Sequence, residues 1–455
     1  MEWSAKMNKK NLSAAMVFLA LLCLSAGRAR SEDNNAAPGW YPQFLSAQFN
    51  GVVQDMPEFR SPYEGPNSLR FDYKSRSLTD IYGVYLGSQV LDNLQAYLDL
   101  EMFRGYGLSN GTGLGGITNG DVIRGSQNIG NDPYIARLYV RYIHALSAET
   151  APVEKGMDQL PGSEPVSRVE VKAGRMAATD DFDNNRYANN TRTQFMNWAF
   201  INDTAWDFAA NTRGYSDGIV VAWVNPLWRL AFGVYRMPTH ANGIILDNDL
   251  TKANGDNLEL TVKPGKWGTV ARLLVYRNTG QMGDYGEAIA IGRSTGSIPN
   301  VIADELHHGR SKYGAGINLE QPIADDGETG AFFRAGWNDG HTEDFTFTEV
   351  DRQISLGLQI SGVHWRREDD RIGIAYARHD LSSAHSTYLS LGGLGFDLGD
   401  GRLTYGTEQV AEVYYRIQLG RYVQLSPDFQ FIKNPGYNRD RGPVEVYGMR
   451  LHMSI

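Results

Sequence analysis

The chain has 455 residues, of which 11% are aromatic, with 24 Tyr, 50 Gly, one Cys and a formal charge of −9. A mean hydropathy of −0.38 excludes a bundle of membrane-spanning helices. It is compatible with a β-barrel, whose lipid-facing and lumen-facing residues average to a soluble-looking value.

The N-terminus reads as a secretory signal over residues 1–31. Lys9 and Lys10 form a positive region, Ala14 to Leu24 an apolar run, and Ala29-Arg30-Ser31 a small-x-small cleavage site. The apolar run is too short to span a bilayer. Met7 is a more natural start than Met1, since the lysines then follow it closely. Cys23 lies inside the run after Leu21 and Leu22, where lipid attachment would need small residues, so no lipid anchor is expected. Cleavage removes Lys6, Lys9, Lys10, Arg28 and Arg30 against Glu2, leaving a mature charge of −13 and no cysteine. That acidity argues against nucleic acid as a partner, and no disulfide is expected.

Residues 32–68 hold Pro, Gly and scattered aromatics without sustained period. They read as an N-terminal periplasmic or lumenal segment preceding a barrel over 69–455. From Leu69 onward the alternation predicts about sixteen strands. They fall at 69–76, 81–90, 92–104, 134–146, 167–176, 218–225, 227–237, 257–263, 268–277, 312–320, 330–338, 352–362, 371–378, 409–419, 422–432 and 444–455. Ala136, Leu138, Val140 and Tyr142 alternate with Arg137, Tyr139 and Arg141; Ile354, Leu356, Leu358 and Ile360 alternate with Ser355, Gly357 and Gln359. Lengths near ten residues suit tilted transmembrane strands. Long Gly/Asn/Asp-rich connections mostly alternate with short turns such as 226 and 420–421, the outer-membrane pattern of long extracellular loops and short periplasmic turns. The connection 147–166 breaks the rule. The expected fold is therefore an all-β transmembrane antiparallel barrel.

Near the C-terminus, Lys433-Asn434-Pro435-Gly436-Tyr437-Asn438-Arg439-Asp440-Arg441-Gly442-Pro443 stands between two strictly alternating segments. The 434–443 stretch resembles the asparagine-proline-rich motif of the carbohydrate-selective outer-membrane porins, the OprB family. Gln48 to Leu69 resembles that family's N-terminal signature through Gln54, Phe59, Tyr63, Gly65, Asn67, Ser68 and Leu69. Gly174-Arg175, Asp180 to Trp198 and Ala205 to Tyr215 resemble its central loop. Gly373 to Tyr376, Gly392 to Phe396, Gly399-Asp400-Gly401 and Glu408 to Arg416 resemble its C-terminal third. Two departures stand out: the chain ends in Ile455 where such barrels commonly end in Phe, and Arg378-His379-Asp380 replaces a smaller polar run.

The resemblance implies passive, carbohydrate-selective diffusion through a water-filled pore in the bacterial outer membrane. The expected partners are mono- or oligosaccharides and outer-membrane lipid, with a homotrimer as a candidate assembly. A sugar-selective constriction needs fixed donor forks, acceptors beside them and aromatic platforms, and arginine supplies the fork. On the alternation, Arg70, Arg137, Arg141, Arg334 and Arg416 fall on the lumen face with Asp72, Asp99, Glu101 and Glu412, and Arg175 ends a strand near it. Residues 191–208 are too apolar to be free in solvent and are expected to fold into the barrel, with Asn197, Trp198, Trp206 and Arg213 as candidate contacts. The same arginines would suit an anion- or polyuronate-selective pore. A barrel enzyme such as a phospholipase would need a Ser/His pair, and only His379, Ser382, Ser383 and His385 crowd together, without a nucleophile-elbow context. No cofactor and no metal site is expected: His307-His308 point to opposite sides of an extended chain, and the Gly-rich stretches lack the strand-to-helix setting of a phosphate loop.

Overall fold

A computed structural model describes residues 39, 42–121, 130–302 and 306–455; the expected signal segment lies outside them. The strands are β1 (Phe44–Asp55), β2 (Arg76–Leu91), β3 (Leu94–Gly105), β4 (Tyr134–Ala145), β5 (Thr150–Val153), β6 (Gly162–Pro165), β7 (Arg168–Met176), β8 (Ser216–Val224), β9 (Trp228–Arg236), β10 (Asn254–Val262), β11 (Val270–Gly283), β12 (Leu306–Ala324), β13 (Thr329–Asn338), β14 (Arg352–Ser361), β15 (Arg371–Asp380), β16 (Glu408–Leu419), β17 (Val423–Lys433) and β18 (Val444–Ser454). All but β5 and β6 close into one antiparallel barrel of sixteen strands, and β5 pairs only with β6. Closure joins β18 to β1, with Gln48 opposite Ser454. The terminal Ile455 N–H donates to the Ala47 carbonyl at 3.0 Å, so the last residue takes part in the seam.

Period-2 patterning explains the wall. Ile354, Leu356 and Leu358 are exposed on the outer face of β14, while Gln353, Ser355 and Gln359 are buried on the inner one. In lipid this places the apolar row against acyl chains and every strand backbone group in a ladder. Outward ion pairs mark the edge near the long loops: Arg76 with Asp55 and Arg277 with Asp256, each at 2.6 Å, and Arg175 with Asp217 at 2.9 Å. At the other edge the Trp223 and Trp228 rings lie 5.3 Å apart, in keeping with an interfacial aromatic belt.

Two expectations need correction. The barrel begins at Phe44, not at residue 69, so most of 44–55 belongs to the wall and not to a separate leading segment. The strand was hard to read because its inner face is Ser46, Gln48, Asn50 and Gln54, while Ala47 and Gly51 interrupt its outer face. Residues 69–75 are not a strand. Lys74 has φ 51, its carbonyl accepts from Ser109 N–H at 3.1 Å, and Arg70 N–H donates to Ser109 Oγ, so the segment docks on a loop. Second, the β3–β4 register slips between Asp99, opposite Arg137, and Leu100, opposite Ile135. This bulge turns Ala136 inward, where it is fully buried, rather than toward lipid with Leu138.

With β1 in place the loop parity becomes regular. Connections 56–75, 106–133, 177–215, 237–253, 284–305, 339–351, 381–407 and 434–443 lie at one end. Short turns 92–93, 225–227, 263–269, 325–328, 362–370 and 420–422 lie at the other, with the start of β1 and the end of β18. The exception remains 146–167, which carries the β5–β6 hairpin.

The long-loop end is tied together by the 434–443 segment. Asn438 Nδ2 donates to Tyr63 Oη at 3.0 Å and Asp400 Oδ2 at 2.9 Å. Gly442 N–H donates to the Arg60 carbonyl at 2.8 Å, and Arg441 donates to the Leu69 carbonyl. Asn67 Nδ2 reaches the Gly395 carbonyl at 2.8 Å. Three stretches far apart in sequence thus form one clasp.

Candidate functional site: the pore

Residues 177–215 leave β7 and fold into the barrel. An irregular segment inside a barrel must have its backbone groups satisfied, and the wall supplies the partners. Glu412 accepts from the N–H groups of Met196 and Asn197 at 2.5 and 2.9 Å. Arg450 donates to the Thr191 and Gln194 carbonyls at 2.6 and 2.7 Å. Arg334 donates to the Phe200 carbonyl at 2.9 Å, the Asp183 carbonyl at 3.0 Å and the Asp183 carboxylate at 3.1 Å. Tyr276 Oη donates to the Ala205 carbonyl at 2.7 Å, and Trp206 Nε1 to Asn257 at 2.9 Å. Phe195 packs against Phe200, Phe332 and Tyr414.

Close approach is made possible by Gly316 and Gly336, which face each other across β12 and β13. A Cβ at position 336 would stand 1.9 Å from Asp203 Oδ1. Burial, with the Asp183 charge nearby, pushes the Asp203 carboxyl up to about 7.

The loop thus packs along the β9–β18 side, leaving a cavity of about 700 Å3 whose lining draws on β1 to β4, β7, β18 and the loop's free face. Arg137 and Arg192 stand in this lining, each paired with two or more carboxylates. Arg137 forks both oxygens of Asp180 at 2.7 Å and reaches Asp99 at 3.1 Å. Arg192 bonds Glu101 at 3.0 Å and Asp121 at 3.2 Å. Glu101 also accepts from Tyr215 Oη at 2.5 Å. Burial alone would raise the Asp180 carboxyl, yet Arg137 holds it below the ordinary carboxylate range. Burial prevails at Asp121, which is raised despite Arg192. Trp198 and Phe208 add aromatic rings to the lining; Trp198 stacks on Phe347 at 4.9 Å and lies 6.4 Å from Phe208, and the Arg213 guanidinium sits 4.2 Å over the Tyr134 ring.

The residues expected to line the pore divide into three groups. Glu101, Arg137, Arg141, Trp198 and Arg213 line the cavity, and Asp99 lies directly behind Arg137. Arg334 and Glu412 face the lumen side but are buried under the loop they hold, while Asn197 and Trp206 belong to that loop and are buried against the wall, with Asn197 capping the short helix Trp198–Ile201. The others do not line this cavity. Arg70 and Asp72 pair with each other at 2.9 Å in the 56–75 loop, because the strand expected there does not form. Arg175 faces outward, since it pairs with outward-facing Leu138 in register and bonds Asp217. Arg416 sits toward the short-turn end, its Nη2 3.5 Å from the Asp369 carbonyl.

Sequence reasoning did not single out Arg192, Lys172, Asp180, Asp121, Tyr215 or Phe208. Lys172 had a signal, because it shares the inner face of β7 with Glu170. Arg192 had none, since loop residues carry no period. In the serine–histidine group, Ser382 Oγ donates to the Gly340 carbonyl at 2.7 Å and accepts from the His385 backbone N–H at 3.0 Å. His379 pairs with Glu408. Among the described residues, Asp344, Asp351 and His385 form the one cluster of metal-ligand type, and buried Lys312 already pairs with Asp344.

A closed sixteen-stranded barrel with apolar outer rows, a polar lumen and an infolded loop defines an outer-membrane channel of the porin class. The solved structure of OprB from Pseudomonas putida at high pH shares the fold, with a TM-score of 0.68 and 18% identity over 90% of this chain and 94% of that one. The outer membrane channel DcaP of Acinetobacter baumannii superposes with a TM-score of 0.50 at 9% identity, over 92% and 100% of the chains. Porin AaxA of Chlamydia pneumoniae is 26% identical over 110 residues, a match spanning 24% of this chain and 22% of that protein. A family model described as carbohydrate-selective porin, OprB family, matches residues 89–455. The chain belongs to that family.

Proposed function

We propose that the protein lets neutral sugars diffuse passively through the cavity, with Arg137 and Arg192 as donor forks and Glu101 and Asp180 as acceptors. Trp198 and Phe208 serve as platforms for sugar faces. The observation that carries this reading is charge balance at the narrowing. Arg137 is matched by Asp99 and Asp180, Arg192 by Glu101 and Asp121, and Arg141 by Glu164 and Glu170. A pore built for anions or polyuronates would leave its arginines unmatched, so that a carboxylate could replace water at them. Matched pairs instead offer alternating donors and acceptors, which suits hydroxyl-rich neutral molecules.

Planar-bilayer recordings test this. Glucose and maltose are expected to block the ion current of the wild-type channel, and glucuronate is expected to block no better than glucose. Strong block by glucuronate without block by glucose would overturn the reading.

A further inference from the structure

The connection 146–167 is the one link at the short-turn end that is not a short turn. Its tip is a tight turn in which Gly156 N–H donates to the Gln159 carbonyl at 3.1 Å. Its base is fixed to the lumen wall. Glu164 Oε2 accepts from Arg141 at 2.9 Å, and Arg168 Nη1 donates to the Pro165 carbonyl at 2.8 Å. Leu160 is buried, with its N–H 3.4 Å from Tyr97 Oη, and Tyr139 Oη donates to Asp158 Oδ2 at 3.2 Å. On the far side, Lys155 Nζ donates to the Leu45 carbonyl of β1 at 3.3 Å. The segment is therefore a strap from β4 and β7 across the mouth to β1. Met157, Asp158 and Gln159 at its tip line the same cavity as the narrowing. Asp158 Oδ2 stands 3.9 Å from Arg137 Nε, so that arginine meets Asp180 from the infolded loop and Asp158 from the strap.

We propose that the strap is a second selectivity element in series with the Arg137–Arg192 narrowing, in which Asp158 and Gln159 form an exit-side subsite for a neutral sugar. The proposal rests on the sugar-pore reading above. A sugar released by Arg137 would meet a carboxylate acceptor and an amide that both donates and accepts before it reaches bulk water. Polar sites in series let a permeant molecule be handed on without full rehydration, which favours throughput over tight binding.

The test uses full-length channels in planar bilayers, with maltose added to one side at a time. Orientation is read from a Gln159→Cys variant treated with an impermeant, negatively charged thiol reagent. Asp158→Asn keeps an acceptor for Tyr139 but loses the charge. It is expected to slow maltose block from the short-turn side about three- to tenfold, the equivalent of one hydrogen bond, while block from the long-loop side keeps its rate. Modification of Gln159→Cys is expected to cut conductance by half or more. Wild-type channels that maltose blocks from neither side would sink the sugar-pore reading and the strap with it. Normal wild-type block with unchanged, or equally changed, rates from both sides in Asp158→Asn would overturn the strap alone. If Asp158→Asn fails to fold, the cysteine decides: modification without loss of conductance overturns the proposal.

Discussion

Removing the Arg334 side chain tests whether the loop 177–215 is held by specific wall groups or only by its apolar packing. Arg334 is fully buried and gives the loop three bonds, two of them to Asp183. Arg334→Met keeps the volume and removes every donor. Asp183 retains Asn318 Nδ2 and Asp203 N–H, each at 2.6 Å, but loses its counter-charge, and the Phe200 carbonyl loses its partner. Breaking a buried ion pair from one side costs about 3–5 kcal/mol. At about 1.4 kcal/mol per decade, the docked-to-undocked ratio should fall by about two to three and a half decades. The wall itself lies in backbone ladders and should persist. Single-channel recording should then show larger, noisier currents and weaker sugar block, while the heat-modifiable gel shift of the folded barrel is kept. A quiet channel with unchanged conductance and block, in a barrel that still shows that shift, would refute the idea that Arg334 clamps the loop.

Three further outcomes are expected. Asp203 titrates near 7 when the loop is docked against an ordinary value of 3.8, so the docked state holds the proton more firmly; docking carries no penalty below about 3.8 and is opposed increasingly as pH rises to about 7. Channel noise should therefore grow from pH 5 to pH 8, and Asp203→Asn should flatten that rise; a rise equally steep in the variant would contradict the assignment. Leu138, 53% exposed on the outer face of β4, should tolerate Arg poorly. Leu138→Arg is expected to cost about 2–4 kcal/mol near the bilayer midplane, and an unchanged urea midpoint in liposomes would show that the face is inverted. Arg137→Lys keeps charge but loses the fork to Asp180, so sugar block should weaken while ion selectivity barely moves; block that survives both Lys and Ala there would remove Arg137 from the site.

Much of the wall was legible in the sequence. Rows such as Ile354, Leu356 and Leu358 on β14 or Tyr447, Met449 and Leu451 on β18 repeat every second residue because lipid demands it on one face only. What failed was local. The outer face of β1 is broken by Ala47 and Gly51, and the bulge at Ala136 shifts the phase that alternation assumes. The candidate site was legible at Glu101, Arg137 and Arg141 on strands, and at Trp198 and Arg213 in the infolded loop, whose apolar stretch 191–208 marked it. Arg192, Asp180 and Asp121 come from connections, whose backbone direction is set by tertiary contacts and by no period. Arg334 and Glu412 show a further limit: alternation reports that a side chain faces inward, but not whether it meets water or a loop.

That limit bears on how the barrel divides its labour. The inner face of β12 to β18 is as polar as that of β1 to β4, yet the two serve opposite ends. On one side buried Arg334, Arg450 and Glu412 spend their hydrogen-bonding groups on the backbone of the infolded loop. On the other side Arg137 and Arg192 are matched by carboxylates in an open cavity. Tyr63, Asn67, Asp400 and Asn438, from three of the stretches that resemble the OprB family, serve neither purpose directly, since they meet in the clasp at the long-loop end. A substitution in the clasp should therefore disturb the loops before it touches selectivity. A change at Arg192 or Asp180 should alter what passes while leaving the clasp intact.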